Sequence, residues 1–172
     1  FFTNQQGIIR NALHEFETAL IDKGIQLRIT RSFDTFAECL VEFQDEVVKI
    51  DFAYDSPYRL QEVIYQPEFG IFSDNFIDIA CNKLSALFDR FESKDFVDIY
   101  FIHKEKISLD ELIPLAQQKH IGLDEYWLAR AMFTARDIVL LPRMIKAVSI
   151  PELQEFFLQY ARQLVEEAPQ TG

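Results

Sequence analysis

Asp51, Lys83, Arg90, Asp95 and Asp98 have the residue types and spacings that phosphate and metal chemistry use. In the stretch EVVKIDFAY, Val48, Ile50, Phe52 and Tyr54 alternate with Val47, Lys49, Asp51 and Ala53, so a strand here carries Asp51 on its less apolar face. A mid-strand carboxylate suits a metal ligand or a general base, and it also suits a solvated strand face shared with Lys49. Lys83 and Arg90 are two helical turns apart and therefore stack on one flank of a helix. Two such cations can reach phosphates, lysine as a point charge and arginine as a fork. They can equally form surface pairs, for instance with Asp89. Asp95 and Asp98 are i, i+3 neighbours in the first turn of the next helix, where acidic residues also simply complement the helix dipole.

Other chemistries have less support. His14 falls away from the apolar stripe of its helix, and His103 and His120 have no second His or Cys at ligand spacing, which argues against zinc. The sequence contains no Gly-rich phosphate loop, nucleophile elbow or CxxC pair. Cys39 and Cys81 sit in apolar surroundings and read as reduced core thiols, with a disulfide or ligand role as the alternative.

The elements that must position these residues follow from periodicity. Residues 5–23 read as a helix capped by Asn4 and stopped by Gly24, with Ile9, Leu13, Phe16 and Leu20 inward. Three strands follow, around residues 25–30, 36–43 and 46–54, the last two joined by a Gln44-Asp45 hairpin. Pro57, Pro67 and Gly70 make 55–72 irregular, with Tyr58, Arg59 and Tyr65 available either to a cleft or to loop packing. Ser73 or Asp74 then caps a helix carrying Lys83 and Arg90, and Ser93 caps one carrying Asp95 and Asp98. Ser108-Leu-Asp-Glu111 is a capping box for a helix that contains Pro114 and ends near His120. Residues 123–134 form another helix, Pro142 interrupts a basic and apolar stretch, and Pro151 opens a final helix before a tail at 168–172.

The chain has 172 residues, a 49% hydrophobic content and 17 Phe, enough for a folded core. The net charge of −11 argues against broad non-specific nucleic-acid binding, though not against a local basic cleft. No apolar run approaches the roughly 18 residues of a membrane span. A cytoplasmic protein is the expectation.

Three stretches together resemble the AbiEii/AbiGii toxin family of nucleotidyltransferases, a branch of the DNA polymerase β-like superfamily. They are VKIDF (48–52), DIACNKLSALFDR (78–90) and KDFVDIYFI (94–102). The family pattern is a strand with a central Asp, a K-x-x-A-L-x-x-R helix and an (R/K)-D-x-x-D-x-Y segment. LDEYWLARAM, Leu-Pro-Arg and PELQEFF are similar to the family's helical end. The resemblance implies an α+β fold: a partial nucleotidyltransferase mixed sheet with a flanking helix over 1–74, then a helical bundle over 75–172 that completes the nucleotide site. It implies that Asp51 holds Mg²⁺ or helps deprotonate the attacking hydroxyl, and that Lys83 contacts the triphosphate with Arg90 flanking. Asp98, with Asp95 beside it, would orient Lys83 or the nucleotide.

The implied reaction moves a nucleoside monophosphate from an NTP to a hydroxyl of RNA, such as a tRNA end, or of protein. The implied setting is a toxin–antitoxin or phage-defence system with a cognate antitoxin. The family's Gly-rich stretch and Asp-x-Asp strand do not occur in this sequence, which opens on the Phe-Phe-Thr that follows that strand in relatives. The expectation is therefore an inactive fragment of an active parent, with Phe1 and Phe2 as the end of a buried strand. A non-catalytic interaction scaffold on the same fold is the alternative.

Overall fold

The computed structural model describes residues 1–5 and 7–167, so the expected tail at 168–172 lies outside the described residues. The backbone divides into two units, Phe1–Tyr58 and Arg59–Gly172, a division that falls ahead of the boundary expected at 74/75.

The first unit is a four-stranded mixed sheet with one helix. Its elements are β1 (Phe2–Thr3), α1 (Ile8–Ile21), β2 (Gln26–Ser32), β3 (Phe36–Phe43) and β4 (Glu46–Tyr54), and the sheet order is β1-β4-β3-β2. β1 runs parallel to β4, and the other pairs are antiparallel. α1 closes one face: Ile9 and Leu13 meet Ala37 and Cys39, with Phe16, Leu27, Ile50 and Phe52 around them. Because side chains alternate along β4, burial of Ile50 and Phe52 turns Lys49 and Asp51 to the opposite face. The strand expectations for 36–43 and 46–54 hold to the residue. The helix starts later than expected, at Gly7 in the left-handed region (φ +77°), and Asn4 is not its cap. Phe1 and Phe2 do lie on a strand edge, but they are 59% and 70% exposed rather than buried.

The second unit is a helical bundle preceded by a small hairpin, β5 (Ile64–Gln66) and β6 (Ile71–Ser73), which the breakers in 55–72 concealed. Then come α2 (Phe76–Arg90), α3 (Ser93–Glu105), α4 (Leu109–Lys119), α5 (Glu125–Phe133), a 3-10 turn (Thr134–Asp137) and α6 (Ile150–Glu167). Its core includes Leu84, Leu87, Phe96, Ile99, Leu112, Leu128, Met132, Leu153 and Phe157. The Ser108–Glu111 capping box is formed in full, and Pro114 sits inside α4 without ending it. Two caps differ from expectation. Asn75, not Ser73 or Asp74, accepts from the Asp78 amide, while Asp74 accepts from Arg59. Glu92 takes the N-cap position of α3, placing Ser93 in the first turn.

Candidate active site

On β4, Asp51 pairs in register with Glu38 of β3. Lys49 Nζ lies 2.6 Å from Glu38 Oε2 and 3.7 Å from Asp51 Oδ1. The Lys49 ammonium, with the Thr30 hydroxyl, holds the Glu38 carboxyl below its ordinary range, and the same bond to Glu38 raises Lys49. Glu38 is thus committed to a cation. Asp51 Oδ1 is buried and has no partner at hydrogen-bond distance, its cation being the Lys49 ammonium 3.7 Å away.

A carboxylate oxygen held only by a long ion pair suits one ligand position of a hard divalent cation, which takes six or more oxygens. Among the described residues, no group of three or more His, Cys, Asp and Glu side chains comes together. This chain's described residues therefore fit one ligand of such an ion and do not make a complete site.

In the helical unit, the other four residues pair across α2 and α3. Lys83 Nζ meets Asp98 Oδ2 at 2.6 Å, and Arg90 meets Asp95 Oδ1 at 2.9 Å. The short turn between the helices makes them antiparallel neighbours, so an early residue of α2 faces a later residue of α3, and a late one faces its first turn. The two pairs differ in burial. Lys83 and Asp98 are each about two-fifths exposed, whereas the Asp95 side chain is fully buried. Asp95 Oδ2 is a second buried acceptor without a hydrogen-bond partner. Lys83 and Asp98 open into a groove of about 300 Å³ with Phe76, Ile79 and Phe101 along it. A cation that is accessible but already aimed can take a phosphate by exchanging its carboxylate partner. Arg90 is positioned differently, by a carboxylate that solvent does not reach.

The sequence reading missed a buried ion pair. Asp78 and Lys119 meet at 2.5 Å with side-chain exposures of 0% and 5%. Burial would push the Asp78 carboxyl up, but Lys119, the Leu60 and Gln61 amides and the Asn75 amide nitrogen hold it down at about 2. The signal was available: Asp78 lies on the inward stripe with Cys81 and Leu84, and a carboxylate at a core position requires partners. Asn75 is three residues away, but Leu60, Gln61 and Lys119 are 17 to 41 residues distant in sequence, out of reach of local pattern.

The family model for the nucleotidyl transferase AbiEii toxin of type IV toxin–antitoxin systems matches residues 3–170. The chain belongs to this family. A Helicobacter pylori protein provisionally described as a nucleotidyltransferase shares the fold, with a TM-score of 0.54 at 17% identity over 82% of this chain and 65% of that one. JHP933 from Helicobacter pylori aligns with a TM-score of 0.47 at 19% identity, over 82% of this chain and 63% of that one. The chain thus spans a little under two thirds of each. No curated protein matches it. Among the described residues, no helix is long and apolar enough to cross a membrane.

Proposed function

We propose that the protein to which this chain belongs transfers a nucleoside monophosphate from an NTP to a hydroxyl group of RNA or protein. The acceptor oxygen forms a bond to the α-phosphorus, the bond from that phosphorus to the bridging oxygen breaks, and pyrophosphate leaves. The hydroxyl proton passes to a base. Such a reaction depends on positioning and charge neutralisation more than on covalent chemistry. The observation that carries the reading is the Lys83–Asp98 pair: an accessible ammonium, aimed by a carboxylate and set in an open groove.

In this reading Lys83 receives the triphosphate and Asp98 holds it in line until the nucleotide arrives. Arg90 is kept in place by buried Asp95, which acts through Arg90 and does not touch nucleotide. Magnesium belongs to the proposal through Asp51 alone, as one ligand. The proposed setting is cytoplasmic, as a toxin opposed by an antitoxin or as part of phage defence.

The test uses the protein and its Asp51→Ala and Lys83→Ala variants with labelled NTPs, Mg²⁺, and total RNA or protein. Label transfer that either substitution abolishes is the expected result. Transfer that both variants retain in full would sink the assignment. So would the absence of both transfer and an NTP-dependent thermal shift, which would leave a non-catalytic scaffold.

A further inference from the structure

The second unit leaves two apolar surfaces uncovered, and they carry opposite charge. The first is the β5–β6 hairpin. Its register pairs Tyr65 with Phe72, whose ring centroids are 5.1 Å apart, and sets Ile64 and Ile71 on the other face. All four are at least 40% exposed, and so is Phe69 at the turn, so neither face of this two-stranded sheet is covered. A hairpin on its own is marginal in water, and apolar side chains left uncovered together mark an interaction surface. Its charge is of one sign. No Lys or Arg occurs in residues 60–82, and the exposed Glu62 and Glu68 form no ion pair among the described residues.

The second surface is the connection from the 3-10 turn to α6. Ile138, Leu141, Met144 and Val148 pack into the helical core and fix this segment at four points, while Val139, Leu140 and Ile145 are left in solvent. The outward side chains are thereby held in place before any partner arrives, which lowers the ordering cost of docking. Residues 138–149 contain no Asp or Glu. Of their two cations, Lys146 is held by Glu105, and exposed Arg143 forms no ion pair among the described residues.

Charge decides what suits each surface. Two hairpins face to face would bring Glu62 and Glu68 against their own copies, and two 138–149 segments would oppose their arginines, both of which cost binding. A hairpin against a 138–149 segment joins apolar to apolar and carboxylate to guanidinium, and each chain carries one of each. We propose that the β5–β6 hairpin of one copy docks on the 138–149 segment of a second copy, and that reciprocal use of the two surfaces closes a dimer with two identical contacts. In each contact Tyr65, Phe69 and Phe72 cover Leu140 and Ile145, and Arg143 meets the Glu62 and Glu68 carboxylates at the rim. This association is independent of the reaction proposed above.

Sedimentation velocity of the full chain over about 1–100 μM tests it, a range that reaches interfaces of modest affinity. The parent should be a dimer at the upper end, and Phe72→Asp and Leu140→Asp should each stay monomeric. Glu62→Lys with Glu68→Lys in one chain, or Arg143→Glu in another, should weaken self-association at least about tenfold, because like charges then meet. An equimolar mixture of those two charge variants should recover the dimer: one of its contacts is the parent contact, and the other has both signs reversed. Contacts between two hairpins, or between two 138–149 segments, do not predict that recovery. A parent that stays monomeric throughout overturns the proposal and leaves both surfaces to a different partner. Mass that keeps growing with concentration, a dimer indifferent to the charge changes, or a mixture that fails to recover it also overturns the proposal. Thermal melts matching the parent's separate lost association from lost folding, and the charge variants, which alter only exposed side chains, decide the matter if Phe72→Asp loosens the hairpin.

Discussion

Lys83 and Arg90 occupy the same flank of α2, yet their carboxylate partners give them different dependence on solvent. The Lys83–Asp98 pair is partly exposed and hence screened, so Lys83→Ala should lower stability by less than about 1 kcal/mol in urea unfolding. Arg90→Ala instead leaves the fully buried Asp95 carboxylate without its cation, and should cost about 1–3 kcal/mol by the same measurement. Equal losses would mean that Asp95 finds another donor. His103 supplies a pH-dependent prediction. Its Nδ1 accepts the Leu109 amide at 3.0 Å, which requires an unprotonated ring nitrogen. Burial lowers its pKa from 6.5, Lys104 lowers it further, and Asp110 opposes them. The unfolded chain therefore binds the proton more tightly than the folded one. This contribution is fully present above pH 6.5 and is lost as the pH falls toward the depressed folded value. Urea midpoints measured across that range should decline for the parent and flatten for His103→Gln.

At the scale of elements, the Asp78 network fastens the start of the second unit. Its carboxylate receives the Leu60 and Gln61 amides at 3.0 and 3.1 Å and the Lys119 ammonium at 2.5 Å. One side chain of α2 thereby ties down the segment before β5 and the end of α4. Asp78→Ala leaves the buried Lys119 ammonium without its carboxylate and removes the acceptor of the part-buried Leu60 and Gln61 amides, and should cost about 3–5 kcal/mol in urea unfolding. The folded pKa of about 2 lies below the ordinary 3.8, so the contribution is present above pH 3.8 and lost as the pH falls through about 2. A loss below about 1 kcal/mol would show that water replaces the network, contrary to its burial. The α3–α4 junction was readable beforehand, because the Ser108–Glu111 box is local in sequence and satisfies its own amides.

At the scale of the molecule, each unit has its own apolar core, one built on Ile9, Leu13 and Cys39 and one on Leu84, Phe96 and Phe157. Tyr58 is 48% exposed at the end of the first unit, in a stretch without regular structure. Brief chymotrypsin digestion should therefore cleave first after Tyr58, and mass spectrometry of the early products checks it. First cleavage within β4 or α2 would contradict the division. The α+β class, the strands at 36–43 and 46–54, the helices that carry Lys83 and Asp98, and the family were all legible in the sequence by itself. Alternation, helical spacing and capping are local, and three motifs in one order are specific. Only the tertiary structure decided which charges meet. Lys83 could have paired with a surface neighbour, and Asp95 could have remained a solvated dipole complement. Asp78 gave no local hint of Lys119, Leu60 or Gln61, because these come from segments far away along the chain. A groove at Arg143 joins α3 to a segment some forty residues later, within one lining. Residue type and period set what each side chain can do, whereas burial and cross-helix pairing decide which of those capacities is used.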